Sequence, residues 1–231
     1  MYNIGAILKK QIKDTLKNKT VLIQFIMFPV LTLLMNNAIK IEGMPENFFV
    51  NLFATMYIGM APLTSMAAII AEEKEKNTLR VLMMSNVKPY EYLLGVGIYV
   101  WIACMVGAGV ICVAGNYDLR TSSIFMGIMA VGILASLLMG AAIGTWSKNQ
   151  MMATSITVPV MMVFAFVPML SLFNTTIEKI AKFIYSEQIS RMLTQVGDLR
   201  IEMSDICIMV VNMLLFVGLF TFAYKKVGLD A

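Results

Sequence analysis

Six stretches without a single Asp, Glu, Lys or Arg dominate this sequence: residues 20–39, 47–71, 92–117, 121–147, 149–177 and 206–224, each 19 to 29 residues long. An apolar helix of roughly 20 residues crosses a hydrocarbon core of about 30 Å, and a chain in lipid must satisfy its backbone groups internally. Each stretch therefore reads as one membrane-spanning helix. Composition agrees, with 59% hydrophobic and 14% charged residues in a chain of 231, against roughly 45–50% and about 25% in soluble domains. The expected fold is all-α, a polytopic membrane protein with six spans in a single domain, residues 1–231.

The same inventory excludes much chemistry. There is no histidine, which removes the commonest general base and most zinc sites. Cys104, Cys112 and Cys207 fall inside expected spans, where they read as small apolar fillers. No catalytic residue and no metal ligand is predicted. Ion-coupled transporters place ionisable groups within the membrane, and none of the six stretches holds one. An external source of energy is the simpler reading, yet the chain has no G-x-x-x-x-G-K-[ST] loop to cradle nucleotide phosphates. A glutamate-type intramembrane protease, suggested by Glu72-Glu73, needs partner histidines and an Arg one turn on, where Asn77 stands.

Alternating topology places twelve Lys and Arg residues on one side and six on the other. The basic side is expected to be cytoplasmic, with both termini on it. The net charge of +4 then reflects topology and calls for no nucleic-acid partner. Residues 1–19 set Ile4, Ile7, Leu8, Ile12, Thr15 and Leu16 at helical spacing, with Lys9, Lys10, Lys13 and Lys17 off that face. This predicts an amphipathic helix lying in the interface against membrane lipid.

Within the spans, Pro29, Pro62, Pro159 and Pro168 each free a backbone carbonyl and can kink a helix. Ser136, Gly140 and Gly144, and the glycines around Gly107, follow the small-residue spacing that lets helices approach closely. Methionine is over-used, at 22 residues, and Met56, Met60, Met161 and Met162 suit a surface that accepts varied apolar ligands as well as they suit ordinary packing. Residues 174–205 are too apolar for a free loop. Thr175 and Glu178 stand at capping-box spacing, and Ser186 and Gly197 bracket a second segment, predicting two half-helices outside the membrane.

One charged island, residues 72–90, interrupts the apolar pattern between the second and third spans. Continuing the second helix puts Glu72 and Lys76 at i, i+4, followed by a short amphipathic helix with Leu79, Leu82, Met83 and Val87 on one face. The run Glu73-Lys74-Glu75-Lys76-Asn77-Thr78-Leu79 through Leu82, Ser85 and Val87 to Glu91, Leu93, Leu94 and Gly95 resembles the corresponding loop of type-2 ABC transporter permeases, the ABC-2 membrane family. Their pattern is approximately E-[KR]-E-x-G-T-x-x-x-L-x-x-S-P, followed by a span opening in x-L-x-G-K. Asn77 stands in place of the usual Gly, Asn86 in place of the usual Pro, and the Lys is absent. Asn tolerates a left-handed turn, so a helix break at 77 is still expected, and Pro89 can supply the later stop.

The resemblance implies a bacterial cell-membrane exporter subunit, with ATP and Mg bound by a separate chain and no cofactor on this one. Implied partners are two ATP-binding subunits and a second permease chain, identical or related. Glu72, Glu73, Glu75, Lys76, Thr78, Leu79, Leu82, Met83 and Ser85 would couple to the ATPase, the charged residues by polar contacts and Leu79, Leu82 and Met83 as apolar anchors. Substrate would pass against spans one, two and five, where Pro29, Met56, Met60, Pro62, Pro159, Met161, Met162 and Pro168 lie. The absence of intramembrane charge favours a hydrophobic or amphipathic cargo such as a peptide antibiotic, drug or lipid. The alternative is a sensor or immunity component that binds an ABC ATPase without transporting.

Overall fold

A computed structural model describes residues 2–17, 19–39, 45, 47–85, 87–196 and 202–228, and these are helical almost throughout. In chain order the helices are α1 (Tyr2–Lys17), α2 (Lys19–Ala38), α3 (Phe48–Glu75), α4 (Thr78–Met84), α5 (Pro89–Ala114), α6 (Leu119–Trp146), α7 (Gln150–Ser171), α8 (Thr175–Ala181), α9 (Tyr185–Thr194) and α10 (Met203–Lys226). Six of them, α2, α3, α5, α6, α7 and α10, are long and apolar enough to cross a membrane, one for each charge-free stretch. Asn86 and Gly197 lie outside the described residues.

α3 is the central post. Over its most apolar window 78% of residues are buried, against 28% for α2 and α7 and 17% for α10. α6 packs along it through a stripe of small residues. A Cβ added at Gly140 would stand 2.5 Å from the Leu63 carbonyl oxygen, and one at Gly144 would stand 2.9 Å from Ile70. The four-residue spacing read from the sequence is therefore a seam between backbones.

The prolines belong to the same packing. Each removes one helical N–H and leaves the carbonyl four residues earlier without its partner. Pro62 frees the carbonyl of Ile58, which accepts the Ser136 hydroxyl at 2.6 Å, and Ser136 also meets the Tyr185 hydroxyl of α9 at 2.6 Å. Pro168 frees the carbonyl of Phe164, which abuts α3 at Gly59, where a Cβ would stand 2.8 Å from that oxygen. Pro29 frees the carbonyl of Phe25, which faces Gly107 of α5. The helices run unbroken through all four prolines, and at Pro29, Pro62 and Pro168 small residues on neighbours admit the freed carbonyls or donate to them.

At the far end of the bundle, α9 wedges among α3, α6, α7 and α10. Its buried Glu187 accepts the Ser171 hydroxyl at 2.8 Å and Arg191 Nε at 3.2 Å, while Arg191 reaches Glu178 of α8 at 3.4 Å. Two short helices were expected here, but their caps differ from the expected ones. Asn174, one residue earlier than Thr175, caps α8 by accepting from the amides of Thr176 and Ile177. Glu178 is turned to Lys182 and Arg191 instead of closing a capping box. Ser186 is buried inside α9, and Ile184 holds the cap position.

The seam gives a direct expectation for stability. Gly140→Leu drives a side chain into the α3 backbone and should destabilise the protein by about 1–3 kcal/mol, the usual scale of overpacking. A Cβ at Gly109 meets nothing within 4 Å, so Gly109→Ala should not lower thermal stability in detergent.

Candidate functional site

Successive side chains on a helix turn by about 100°, so consecutive residues at the end of a buried helix face different neighbours. The last three residues of α3 show this. Glu73 Oε1 accepts Lys10 Nζ at 2.8 Å and the Gln11 side-chain amide, both from α1. Lys74 Nζ donates to the Thr145 carbonyl at 2.9 Å, in the last turn of α6, and to the Gly228 carbonyl at 3.4 Å, just past α10. Glu75 Oε2 accepts the Gln150 amide at 2.8 Å, at the start of α7. A cation on the carbonyls of one helix end and an anion on the amides of another each match the helix dipole. The end of α3 is thereby fastened to α1, to α6 with the C-terminal tail, and to α7.

Glu73 and Lys74 are 6% and 8% exposed, close to the limit at which charges persist without pairing. One residue earlier, Glu72 pairs with Lys76 at i, i+4. Its carboxylate holds the Lys76 ammonium protonated above the ordinary lysine range. The helix then stops at Asn77, in the left-handed conformation with φ 56°. The Lys76 amide returns to the Glu72 carbonyl and the Asn77 amide to the Lys74 carbonyl, both at 3.0 Å, and the Thr78 hydroxyl donates to the Glu73 carbonyl at 3.2 Å. The expected break is present and Asn77 makes it.

α4 follows at once. Leu79 is buried and Leu82 and Met83 are half-buried, all packed on the protein's own core. All of these and Glu73 were expected to face a partner; in this fold Leu79, Leu82 and Met83 meet the core, and the Glu73 carboxylate is turned inward onto α1. An apolar stripe on a short helix goes first to the core it sits on. What α4 presents outward is Arg80, Val81, Met84 and Ser85, with Val81 61% and Met84 80% exposed. Sequence reading missed Arg80, Val81 and Met84 as surface residues, although the register that buries Leu79, Leu82 and Met83 puts them on the opposite side. It also missed Lys10, Gln11 and Lys74, whose roles depend on contacts distant in sequence. Glu75 and Lys76 remain exposed, and Glu72 is partly so.

α1 is rotated from its expected face. Ile7, Gln11 and Thr15 point into the protein, and Ile12 is 51% exposed. Ile7 packs on Gly95 of α5 so closely that a Cβ there would stand 2.8 Å from it. The residues expected along a substrate path divide sharply. Pro29, Met56, Pro62 and Pro168 are buried within the protomer, Met60 and Met161 are half-buried, and Pro159 and Met162 are exposed on α7.

Compared with known families, residues 2–224 match the model described as ABC-2 family transporter protein. The chain belongs to the ABC-2 family. No curated protein matches it. As an ABC-2 family member with six helices able to span a membrane, it is a multi-pass membrane protein and a transport subunit. Permeases of this family typically leave ATP hydrolysis to ABC ATPases on separate chains. The junction just described falls on the segment through which the family resemblance was read.

Asn77 is the sharpest test of the junction's geometry. Asn77→Gly should preserve stability, because glycine adopts a positive φ freely. Asn77→Val should lower it by about 1–2 kcal/mol or more, since a β-branched residue is strained there. Thermal unfolding of the two variants in the same detergent checks the order.

Proposed function

We propose that this ABC-2 permease is the membrane subunit of an ATP-driven exporter, that α4 is its coupling helix, and that the outer stripe Arg80, Val81 and Met84 is what the ATPase engages. The observation carrying this reading is that α4 buries one face on its own core and leaves an apolar and basic stripe exposed, at the end of a helix fastened to three others. A push on α4 is thereby delivered to the whole bundle. Glu75, Lys76 and Ser85 add polar contacts around the stripe. Two ATPase subunits, holding ATP and Mg, and a second permease chain complete the assembly.

The excess of basic residues on the α4 side supports a cytoplasmic location for it and for both termini. α1 then lies in the cytoplasmic interface, its Leu8 and Ile12 edge turned to lipid, while α8 and α9 close the outer end. Substrate passes between paired permeases along two of the less buried helices, α2 and α7, with Met162 and Pro159 exposed on α7. Pro29, Met56, Pro62 and Pro168 shape α2, α3 and α7 from inside. The apolar lipid-facing and partner-facing surfaces favour a hydrophobic or amphipathic cargo.

Co-purification of the permease with a co-expressed ABC ATPase tests the stripe. Buried anchors at interfaces are worth about 2 kcal/mol or more, so Val81→Asp with Met84→Asp should weaken assembly by roughly 30-fold, with unchanged thermal stability of the permease alone. Intact assembly and unchanged ATP hydrolysis in that double variant would sink the coupling reading. Met162→Asp should impair export while sparing assembly. If it disrupts assembly instead, that face of α7 is an interface between subunits.

A further inference from the structure

Glu73 holds two separate elements, α1 and α4, at once. Its carboxylate grips α1 through Lys10 at 2.8 Å and Gln11, while its carbonyl takes the Thr78 hydroxyl at 3.2 Å at the first residue of α4. Tyr92 of α5, wholly buried, stands against the same carboxylate and closes it from behind. Lys10, by contrast, keeps 32% of its side chain exposed, so the grip is on α1's solvent side as well as its inner face.

The surroundings make the grip matter. A cavity of about 780 Å³ opens beside it, bordered by Gln11, Asp14 and Thr15 of α1 on one side and by Ile69, Glu72 and Lys76 of α3 and its end on the other. Facing the end of α3, α1 borders open space, and beside it the Glu73 carboxylate joins the two helices through Lys10 and Gln11. α1 also packs on α5 and on α2, including the contact of Ile7 with Gly95. A helix joined to a neighbour by packed apolar surface can slide. One joined by a charged, directional hydrogen bond across a cavity is held in register at a point.

We infer that Glu73 is a positioning residue that makes α1 and α4 move as one body, so that α1 is a second arm of the coupling junction. The inference rests on the proposed coupling role of α4 for its consequence in transport, though its geometric content does not. In an assembled exporter, a displacement of α4 would carry α1 with it through Glu73, and the amphipathic helix would shift along the membrane surface in step with the ATPase.

Two exposed positions, Lys13 and Arg80, report on this directly. In a Cys207→Ser background, whose other cysteines Cys104 and Cys112 are buried, Lys13→Cys and Arg80→Cys carry spin labels whose separation is read by pulsed EPR in lipid nanodiscs. The parent gives one narrow distance distribution. Lys10→Gln, which keeps the Gln11 contact and so is the milder change, broadens it, Glu73→Gln broadens it further, and Lys10→Arg restores the narrow form. In the complex with ATPase, Lys10→Gln lowers substrate moved per ATP hydrolysed by about tenfold, the scale of one lost charged hydrogen bond, and Lys10→Arg recovers it. A rigidly narrow distribution in Lys10→Gln, or a broad one in the parent, overturns the inference. A parent complex without ATP-dependent transport would instead defeat the coupling reading, and the distances would still decide whether α1 and α4 are joined.

Discussion

The hydrogen bond from Ser136 to the carbonyl of Ile58 is the contact on which the arrangement of the helices depends. In hydrocarbon a carbonyl without a donor is destabilising by several kcal/mol, and Pro62 leaves one in the middle of the most buried helix. Ser136 satisfies it from α6 at 2.6 Å and is itself met by Tyr185 of α9. A single polar cluster thus fixes the depth of α6 and α9 against α3, something apolar contacts cannot do, because packed apolar surfaces slide at little cost. The Gly140 and Gly144 seam then brings the backbones together below that point. The freed carbonyls of Phe164 and Phe25, set against Gly59 and Gly107, extend the same device to α7 and α5.

At the other end of α3 the problem is reversed, since three charges in a row must be accommodated where the helix leaves the bundle. The helix geometry solves it by sending each to a different neighbour. Glu73 goes to an ammonium and an amide, Lys74 to terminal carbonyls, and Glu75 to a terminal amide. The first two are not exposed surface pairs of the kind worth almost nothing. Glu73 and Lys74 are buried, so removing either partner would leave an uncompensated charge. The island that interrupts the apolar sequence is therefore internal architecture as much as surface: Glu73, Lys74 and Leu79 face inward, while Glu75, Lys76 and the outer side of α4 face outward.

Much of this was legible. Charge-free runs gave all six long helices because span length is set by bilayer thickness, a constraint that acts on composition alone. The break at Asn77 was legible because few residues tolerate a positive φ, and the Ser136–Gly140–Gly144 seam because small residues at a period of four have few other uses. What failed was direction. A helix apolar on every side carries no phase, so nothing in the sequence says that Met56 and Pro62 turn inward while Met162 turns outward. α4 does carry a phase, and its apolar stripe was found, but spacing alone does not say that Leu79, Leu82 and Met83 pack on the protein's own core. Glu73 could not be placed at all without Lys10, 63 residues away. The cap of α8 moved by one residue because Asn174 competes successfully with Thr175 for the same amides, which spacing alone does not resolve.

These two ends of α3 are mechanically linked by what lies between them. From Ile58 to Glu73 the helix advances about 22 Å at 1.5 Å per residue, and the proline within that length would ordinarily be its weak point. Here the carbonyl that Pro62 frees is taken by Ser136, and Gly59 sits against the backbone of α7, so the neighbourhood of the proline is the most tightly held part of the helix. A displacement applied where Glu73, Lys74 and Glu75 are fastened has no flexible joint to dissipate it before it reaches Ser136 and Tyr185. α9, wedged among α3, α6, α7 and α10, is attached at that point through Tyr185, and its Glu187 is held in turn by Ser171 at the end of α7. In the proposed orientation this gives a continuous path of hydrogen-bonded and close-packed backbone from the surface of α4 to the helices that close the outer end. Pro62, which could have kinked the helix, is in this packing what pins the rod in place.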